Sequence, residues 1–249
     1  MDDQNLTQLL TEIYERLYTR YGPQHWWPAD EPFEVIVGAI LTQSAAWTNV
    51  EKAINNLKKA DALTPKALRE LPEPELAKLI FPSGYYNVKA RKLKALAGWL
   101  GEKFNDSLDE LFTLDTNDLR SQLLGVYGIG EETADSIILY AGNKPVFVID
   151  AYTRRIIDRL GLAPSPNAYS DYQNLFMAAL PPDTVAATAT TANAAATASL
   201  YNEYHALLVR LAKETCRKKP ICTACCLNKA LKKTRKSTFS RFPCSEFLG

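Results

Sequence analysis

Apolar residues recur at helical spacing over most of the chain, and almost nowhere do they alternate as a strand would require. Leu9, Leu10, Ile13, Tyr14, Leu17 and Tyr18 predict an amphipathic helix over 6–21. Residues 33–42 hold Phe33, Val35, Ile36, Val37, Ala39, Ile40 and Leu41, a near-continuous apolar run that predicts a buried helix. Further helices are predicted over 46–60, 64–71, 73–80, 87–104, 118–126, 131–140 and 151–160. Asp150 stands where it can N-cap the last of these. Pro82-Ser83-Gly84 breaks the chain ahead of the helix at 87, and helical periodicity returns over 201–215 through Tyr204, Leu207, Leu208 and Leu211. The Ala/Thr run 184–199 is low in complexity and is expected to be a surface insertion or an irregular helix without direct function. The pattern as a whole is that of an all-α protein built from many short helices.

Composition narrows the class. Of 249 residues 47% are hydrophobic and 23% charged, a balance that excludes global disorder. No apolar run reaches about 18 residues, so no membrane-spanning helix is expected. Met1-Asp2-Asp3-Gln4 lacks the basic start of a secretory signal, and a cytoplasmic location is expected, nucleoid-associated if the source is prokaryotic. The net charge of +1 says nothing about partners, but its distribution does. Ten Lys/Arg against two Glu make 213–249 strongly basic, and Lys89, Arg91, Lys92 and Lys94 form a second cluster. Such clusters either face phosphates or form a solvated helix face. All five cysteines lie between Cys216 and Cys244, bunched as in a metal or cluster site rather than spread as in a secreted disulfide framework. His25 and His205 are far apart in sequence and read as structural.

The most informative stretch is 123–155. Gly128 and Gly130 flank Ile129 between two predicted helices. Glycines there permit a tight turn and let a large partner approach the main chain, and the outward N–H groups of the second helix suit a phosphate; a plain helix–helix turn is the alternative. The apolar run Val146-Phe147-Val148-Ile149 then leads into Asp150, followed by Thr153-Arg154-Arg155. This stretch resembles the helix-hairpin-helix region of the endonuclease III-like DNA glycosylase superfamily. Gly38-Ala39-Ile40-Leu41-Thr42-Gln43 is similar to the family's early buried helix and its following glutamine, and Gly84-Tyr85-Tyr86-Asn87-Val88-Lys89-Ala90 to its second DNA-contacting turn. The resemblance spans 33–225 apart from the Ala/Thr segment. It implies a two-lobed helical fold: a central helical barrel over 34–145 that ends in the hairpin, and a second lobe formed by 1–33 with 146–249 and carrying a cysteine loop.

The resemblance also implies a monomer that acts on double-stranded DNA carrying a damaged base, extrudes the damaged nucleotide and cleaves the bond between base and sugar. Positive charge grows on the deoxyribose in that step, and Asp150 is the carboxylate expected to match it and to orient or deprotonate the attacking water; helix capping is its compatible structural role. Family members that also cut the backbone carry a lysine just after the hairpin, and here that position is Glu132. A carboxylate cannot form the required imine, so a monofunctional glycosylase is expected. Glu132 assists the water or shapes the pocket, or is simply a first-turn acid. Gly128, Gly130 and Thr133 are expected to contact DNA. By family position Gln43 fills the vacated space and Tyr85 wedges beside it, where the family has an aliphatic residue; their structural alternatives are a helix cap and a surface contact.

Trp26-Trp27-Pro28 together with Trp47 is similar to the 3-methyladenine DNA glycosylase III branch, in which such aromatics line the base pocket, and Glu132 also matches that branch. Electron-rich indole faces suit a cationic N-alkylated purine; ordinary core packing is the alternative. Lys213 is a further pocket candidate. Cys216-x5-Cys222-x2-Cys225 resembles the family's iron–sulfur loop, although the first gap is one residue short and Leu231 stands where the fourth cysteine would fall. Cys216, Cys222, Cys225 and Cys244 are expected to hold a [4Fe–4S] cluster, with zinc as the alternative, while Cys226 sits awkwardly beside Cys225. The rival functions are an endonuclease III-like glycosylase/AP lyase acting on oxidised pyrimidines and a noncatalytic helix-hairpin-helix module.

Overall fold

The computed structural model describes residues 3–180 and 191–231. The chain forms two compact units, one made of Met1–Trp26 with Pro145–Gly249, the other of Trp27–Lys144. Helix α1 (Asp3–Tyr21) opens the first unit. The second unit runs through α2 (Pro32–Leu41), α3 (Trp47–Lys59), α4 (Pro65–Glu70), α5 (Glu73–Leu79), α6 (Tyr86–Phe104), α7 (Leu108–Thr113), α8 (Thr116–Leu124) and α9 (Glu131–Ser136). The chain then returns to the first unit with α10 (Ala151–Arg159), α11 (Tyr169–Ala179), α12 (Thr191–Glu214) and α13 (Cys226–Leu231). There is no strand among the described residues, so the fold is all-α. No helix there is long and apolar enough to cross a membrane.

In the second unit α2 is the central element: every residue from Phe33 to Leu41 is buried, as its unbroken apolar run requires. Glu34 enters the core only because its carboxylate is met by Lys58 at 2.8 Å and by the Asp30 N–H at 3.1 Å. Thr64, Ser107 and Asp115 cap α4, α7 and α8 with side-chain oxygens. The turn between α8 and α9 contains Gly128 at φ 83°, a backbone state that favours glycine, and buries Ile129. An ion pair ties the two helices of this hairpin: Arg120 Nε and Nη2 on α8 reach the two oxygens of the fully buried Asp135 on α9, at 2.7 and 3.2 Å. The helix predicted over 131–140 is regular only to Ser136. Residues Ile137–Ala141 widen into a π turn.

In the first unit the core is aromatic. Phe147 stacks on Phe176 at 4.0 Å, and Tyr201 and Tyr204 meet the Phe147 ring edge-on. Both tyrosine hydroxyls are spent on main-chain carbonyls, Tyr201 on Leu180 and Tyr204 on Leu10. The extended run Val146–Ile149 is buried without a sheet to pair with. Side chains serve instead: Gln173 Nε2 donates to the Phe147 carbonyl at 2.8 Å, and the Ile149 N–H donates to the Tyr169 hydroxyl at 3.2 Å.

Helices α7, α11 and α13 are not legible in the sequence. The first and last are six residues each, and the apolar positions of α11 are interrupted by Ser, Asp, Gln and Asn. The Ala/Thr segment is corrected in part. Its residues from Thr191 onward belong to α12, and Thr197 and Ala198 are fully buried, because small side chains let the helix pack closely. Residues 184–190 lie outside the described residues.

Replacing Asp135 by alanine leaves Arg120 without its buried partner. Asp135→Ala is expected to cost about 3 kcal/mol in denaturant unfolding.

Candidate functional site

Asp150 follows the buried Val146–Ile149 run and caps α10, its Oδ1 accepting from the Thr153 N–H at 2.7 Å. Its Oδ2 lies 3.6 Å from Nε2 of His205 on α12, and the two side chains are 13% and 8% exposed. Burial by itself would raise the carboxyl pKa; the neighbouring His205 imidazole and the Thr153 bonds outweigh it and hold Asp150 below its ordinary value. The group is therefore a fixed anion at neutral pH. Sequence separation alone gives His205 no link to Asp150. The signal that finds it is helical register, since it shares a buried stripe with Tyr201, Tyr204 and Leu208.

In the second unit Gln43 leaves the end of α2 and meets the hairpin. Its Nε2 donates to the Gly128 carbonyl at 3.1 Å and to the Thr133 hydroxyl at 2.9 Å, while its Oε1 accepts from Lys92 Nζ at 2.5 Å. Tyr85 is 72% exposed and sits in the left-handed region at φ 47°, directly after Gly84 at φ 67°. The turn that presents it is pinned from inside by Lys89, 2% exposed, whose ammonium donates to the carbonyls of Leu41 and Ser83 at 2.8 and 2.7 Å. Burial, with repulsion from Lys92, lowers the Lys89 pKa to about 8. Glu132 is exposed in the first turn of α9.

The aromatic candidates separate by unit. Trp27 packs edge-on to Trp47 at 5.4 Å and against Tyr140 at 5.3 Å, and its ring lies on Gly38, where a Cβ would come within 3.0 Å of it. Trp26 stands in the first unit with Lys213 Nζ 5.9 Å from its ring centre. All three tryptophans remain partly exposed, and Pro28 is exposed.

Cys216, Cys222 and Cys225 line one cavity of about 30 Å³, walled otherwise by residues such as Ile156, Leu160, Leu211 and Leu227. Burial, reinforced by the Cys225 and Cys216 thiols, pushes the Cys222 thiol up. Cys226 lines a different groove, beside Glu12, Arg16 and Arg20. Arg155 and Arg159 of α10 secure the loop: Arg155 Nε donates to the Cys216 carbonyl at 2.9 Å, and Arg159 Nη1 reaches Cys216 Sγ at 3.2 Å and the Arg217 carbonyl at 2.6 Å. No group of three or more His, Cys, Asp or Glu among the described residues is arranged to hold a single metal ion. A cubane takes one thiolate at each of four separate irons and so needs wider spacing than one ion does. Cys216, Cys222 and Cys225 are thiols of the kind such a cluster takes and share one cavity; Cys244 lies outside the described residues.

Residues 37–182 match the model of the HhH-GPD superfamily of base excision DNA repair proteins. The chain belongs to that superfamily. It is 41% identical over 232 residues to MJ1434 of Methanocaldococcus jannaschii, which carries the name of a DNA repair glycosylase, a match covering 91% of this chain and 99% of the relative. It is 30% identical over 195 residues to an endonuclease III of Sulfolobus acidocaldarius, with 78% of each chain covered. Among solved structures, the Helicobacter pylori 3-methyladenine DNA glycosylase MagIII bound to 1,N6-ethenoadenine superposes with a TM-score of 0.70 at 30% identity, covering 86% of this chain and 98% of that one. An endonuclease III–DNA complex shares the fold at a TM-score of 0.71 and 19% identity. The protein is a DNA repair glycosylase.

Asp150→Asn keeps the helix cap and removes the charge, so a loss of about a hundredfold or more in excision rate is expected with unchanged circular dichroism. With its folded pKa below the ordinary value, the Asp150 charge stabilises the protein fully above about pH 4, and this contribution is lost as pH falls through the depressed value. The stability gap between the two proteins therefore narrows in acid. His205→Leu removes what holds the carboxyl down, and the acid limb of the rate profile moves to higher pH.

Proposed function

We propose that this glycosylase is monofunctional and hydrolyses the N-glycosidic bond of alkylated purines, with Asp150 as the catalytic carboxylate. The observation that carries the reading is the buried, ionised Asp150 in a chain with glutamate, not lysine, at position 132. As the C1′–N bond breaks, its electron pair leaves with the base and the deoxyribose becomes oxocarbenium-like. The Asp150 anion stabilises that cation, and water adds at C1′ while its proton passes to the carboxylate. A purine alkylated on a ring nitrogen is already cationic and leaves as a neutral base, so little acid assistance is needed. Trp26, Trp27 and Trp47, with Pro28, are the aromatic groups assigned to such a cation; Trp27 meets Trp47 edge-on, and Lys213 Nζ stands 5.9 Å from the Trp26 ring centre. Glu132, exposed on the first turn of α9, is free of any imine role and is assigned to water or pocket shape. The similarity to MagIII, seen with an ethenoadenine, supports the same substrate class.

On DNA, Gln43 fills the space left by the extruded nucleotide, Tyr85 wedges beside it, and Gly128, Gly130 and Thr133 form the hairpin contact. Cys216, Cys222, Cys225 and Cys244 hold a [4Fe–4S] cluster that supplies cross-links to a basic loop and no reaction step. Anaerobically purified protein is expected to be brown, with absorbance near 400 nm that Cys244→Ser removes; a colourless protein overturns the cluster.

The deciding assay uses duplexes carrying a 3-methyladenine analogue, 7-methylguanine, 1,N6-ethenoadenine, thymine glycol or an abasic site. Release of alkylated base without strand breakage is expected. Borohydride trapping of a covalent DNA complex would overturn the reading in favour of a lyase, and tight binding with no turnover in favour of a noncatalytic module.

A further inference from the structure

Both ends of the Gln43 amide are occupied within the protein. Its nitrogen donates to the Gly128 carbonyl and the Thr133 hydroxyl, and its oxygen accepts from Lys92. A side chain satisfied in this way cannot also hydrogen-bond into a gap in DNA. Lys92 does two things at once. Its ammonium holds the amide, and its stem lies across the hairpin glycine, where a Cβ on Gly128 would fall 2.3 to 2.7 Å from Lys92 Cγ, Cδ and Cε. The lysine stem thus fills the space beside Gly128, whose φ of 83° by itself favours glycine. Among the described residues the Lys92 ammonium has the neutral Gln43 oxygen as its partner and forms no ion pair. One helical turn back, Lys89 is buried with its own ammonium spent on the Leu41 and Ser83 carbonyls, and the two cations repel. A half-buried cation with a neutral partner and a like charge nearby gains by meeting an anion.

We propose that Lys92 is a positioning residue that stows Gln43 against the hairpin in the free protein and releases it on the duplex, exchanging the amide oxygen for a DNA phosphate. The exchange couples backbone contact to gap filling: Gln43 is let go only where a phosphate is in place to take the lysine. The inference rests on the reading that Gln43 enters the gap.

The test uses a duplex with a tetrahydrofuran abasic analogue opposite 2-aminopurine, a gap that needs neither base extrusion nor chemistry. Stopped-flow fluorescence at saturating protein reads the first-order filling step, and equilibrium titration reads the salt dependence of binding. Lys92→Met keeps the stem over Gly128 and removes the charge. It is expected to speed the filling step about tenfold, to lower the slope of log K against log salt by about one, and to leave the melting temperature within a few degrees. Lys92→Arg restores the slope. In a Gln43→Ala background, which by itself suppresses the fluorescence step, Lys92→Met still lowers the slope and has no filling step to speed. If Gln43→Ala suppresses the step but Lys92→Met changes neither rate nor slope, the latch is overturned alone. If Gln43→Ala leaves the step intact, the gap-filling reading fails and the latch with it.

Discussion

A buried carboxylate is tolerated only where its oxygens are served, and in this protein one such group sits where a buried run turns into a helix. Asp150 ends a buried extended run, caps α10 through the Thr153 N–H, and faces His205 of α12. Each contact is a structural necessity: the helix start needs an acceptor, and the charge needs donors. Together they hold the acid ionised against the pull of burial. A preorganised anion of this kind does not have to shed a water shell when positive charge appears on a sugar, which is where most of its electrostatic effect would come from.

The unit that carries the hairpin follows the same logic with different groups. Its helices are short, and short helices have many unsatisfied ends. Buried or half-buried charged side chains close them. Lys89 takes the Leu41 and Ser83 carbonyls, Lys94 takes those of Leu68, Arg69 and Leu71 at the end of α4, and Asp135 receives Arg120 across the hairpin. The Tyr85 turn and the Gly128 turn, proposed above to meet DNA, are thus loops clamped from within. Removing a clamp does not simply subtract a contact; it strands a charge or a carbonyl.

Much of the fold was legible because helical periodicity is a local property. The continuous run at 33–42 and the stripes of α1 and α12 appear in the structure where the sequence places them, within a few residues. The elements that escaped are those whose apolar face is too short or too interrupted to show a period, α7, α11 and α13, and the start of α12, where alanine and threonine carry no hydrophobic signal yet pack against the core. The candidate residues behaved similarly. Asp150, Glu132 and the glycines are readable as a linear motif. The His205–Asp150 and Lys92–Gln43 pairings are not, because the partners stand 55 and 49 positions apart along the chain.

The sequence by itself determined the all-α class, the hairpin, the acid that follows it and the bunching of cysteines, because each is written in neighbouring residues and their spacing. Only the tertiary structure decided which groups attend that acid, that Trp27 leans on Trp47 and Tyr140 while Lys213 approaches Trp26, that Cys226 lines a different groove from the cavity shared by Cys216, Cys222 and Cys225, and that the Gln43 amide is already occupied. The physical reason is range. Spacing along a chain fixes which side chains share a helix face, but a pKa, a hydrogen-bond partner or the lining of a cavity is set by atoms that folding brings within a few ångströms from distant parts of the chain.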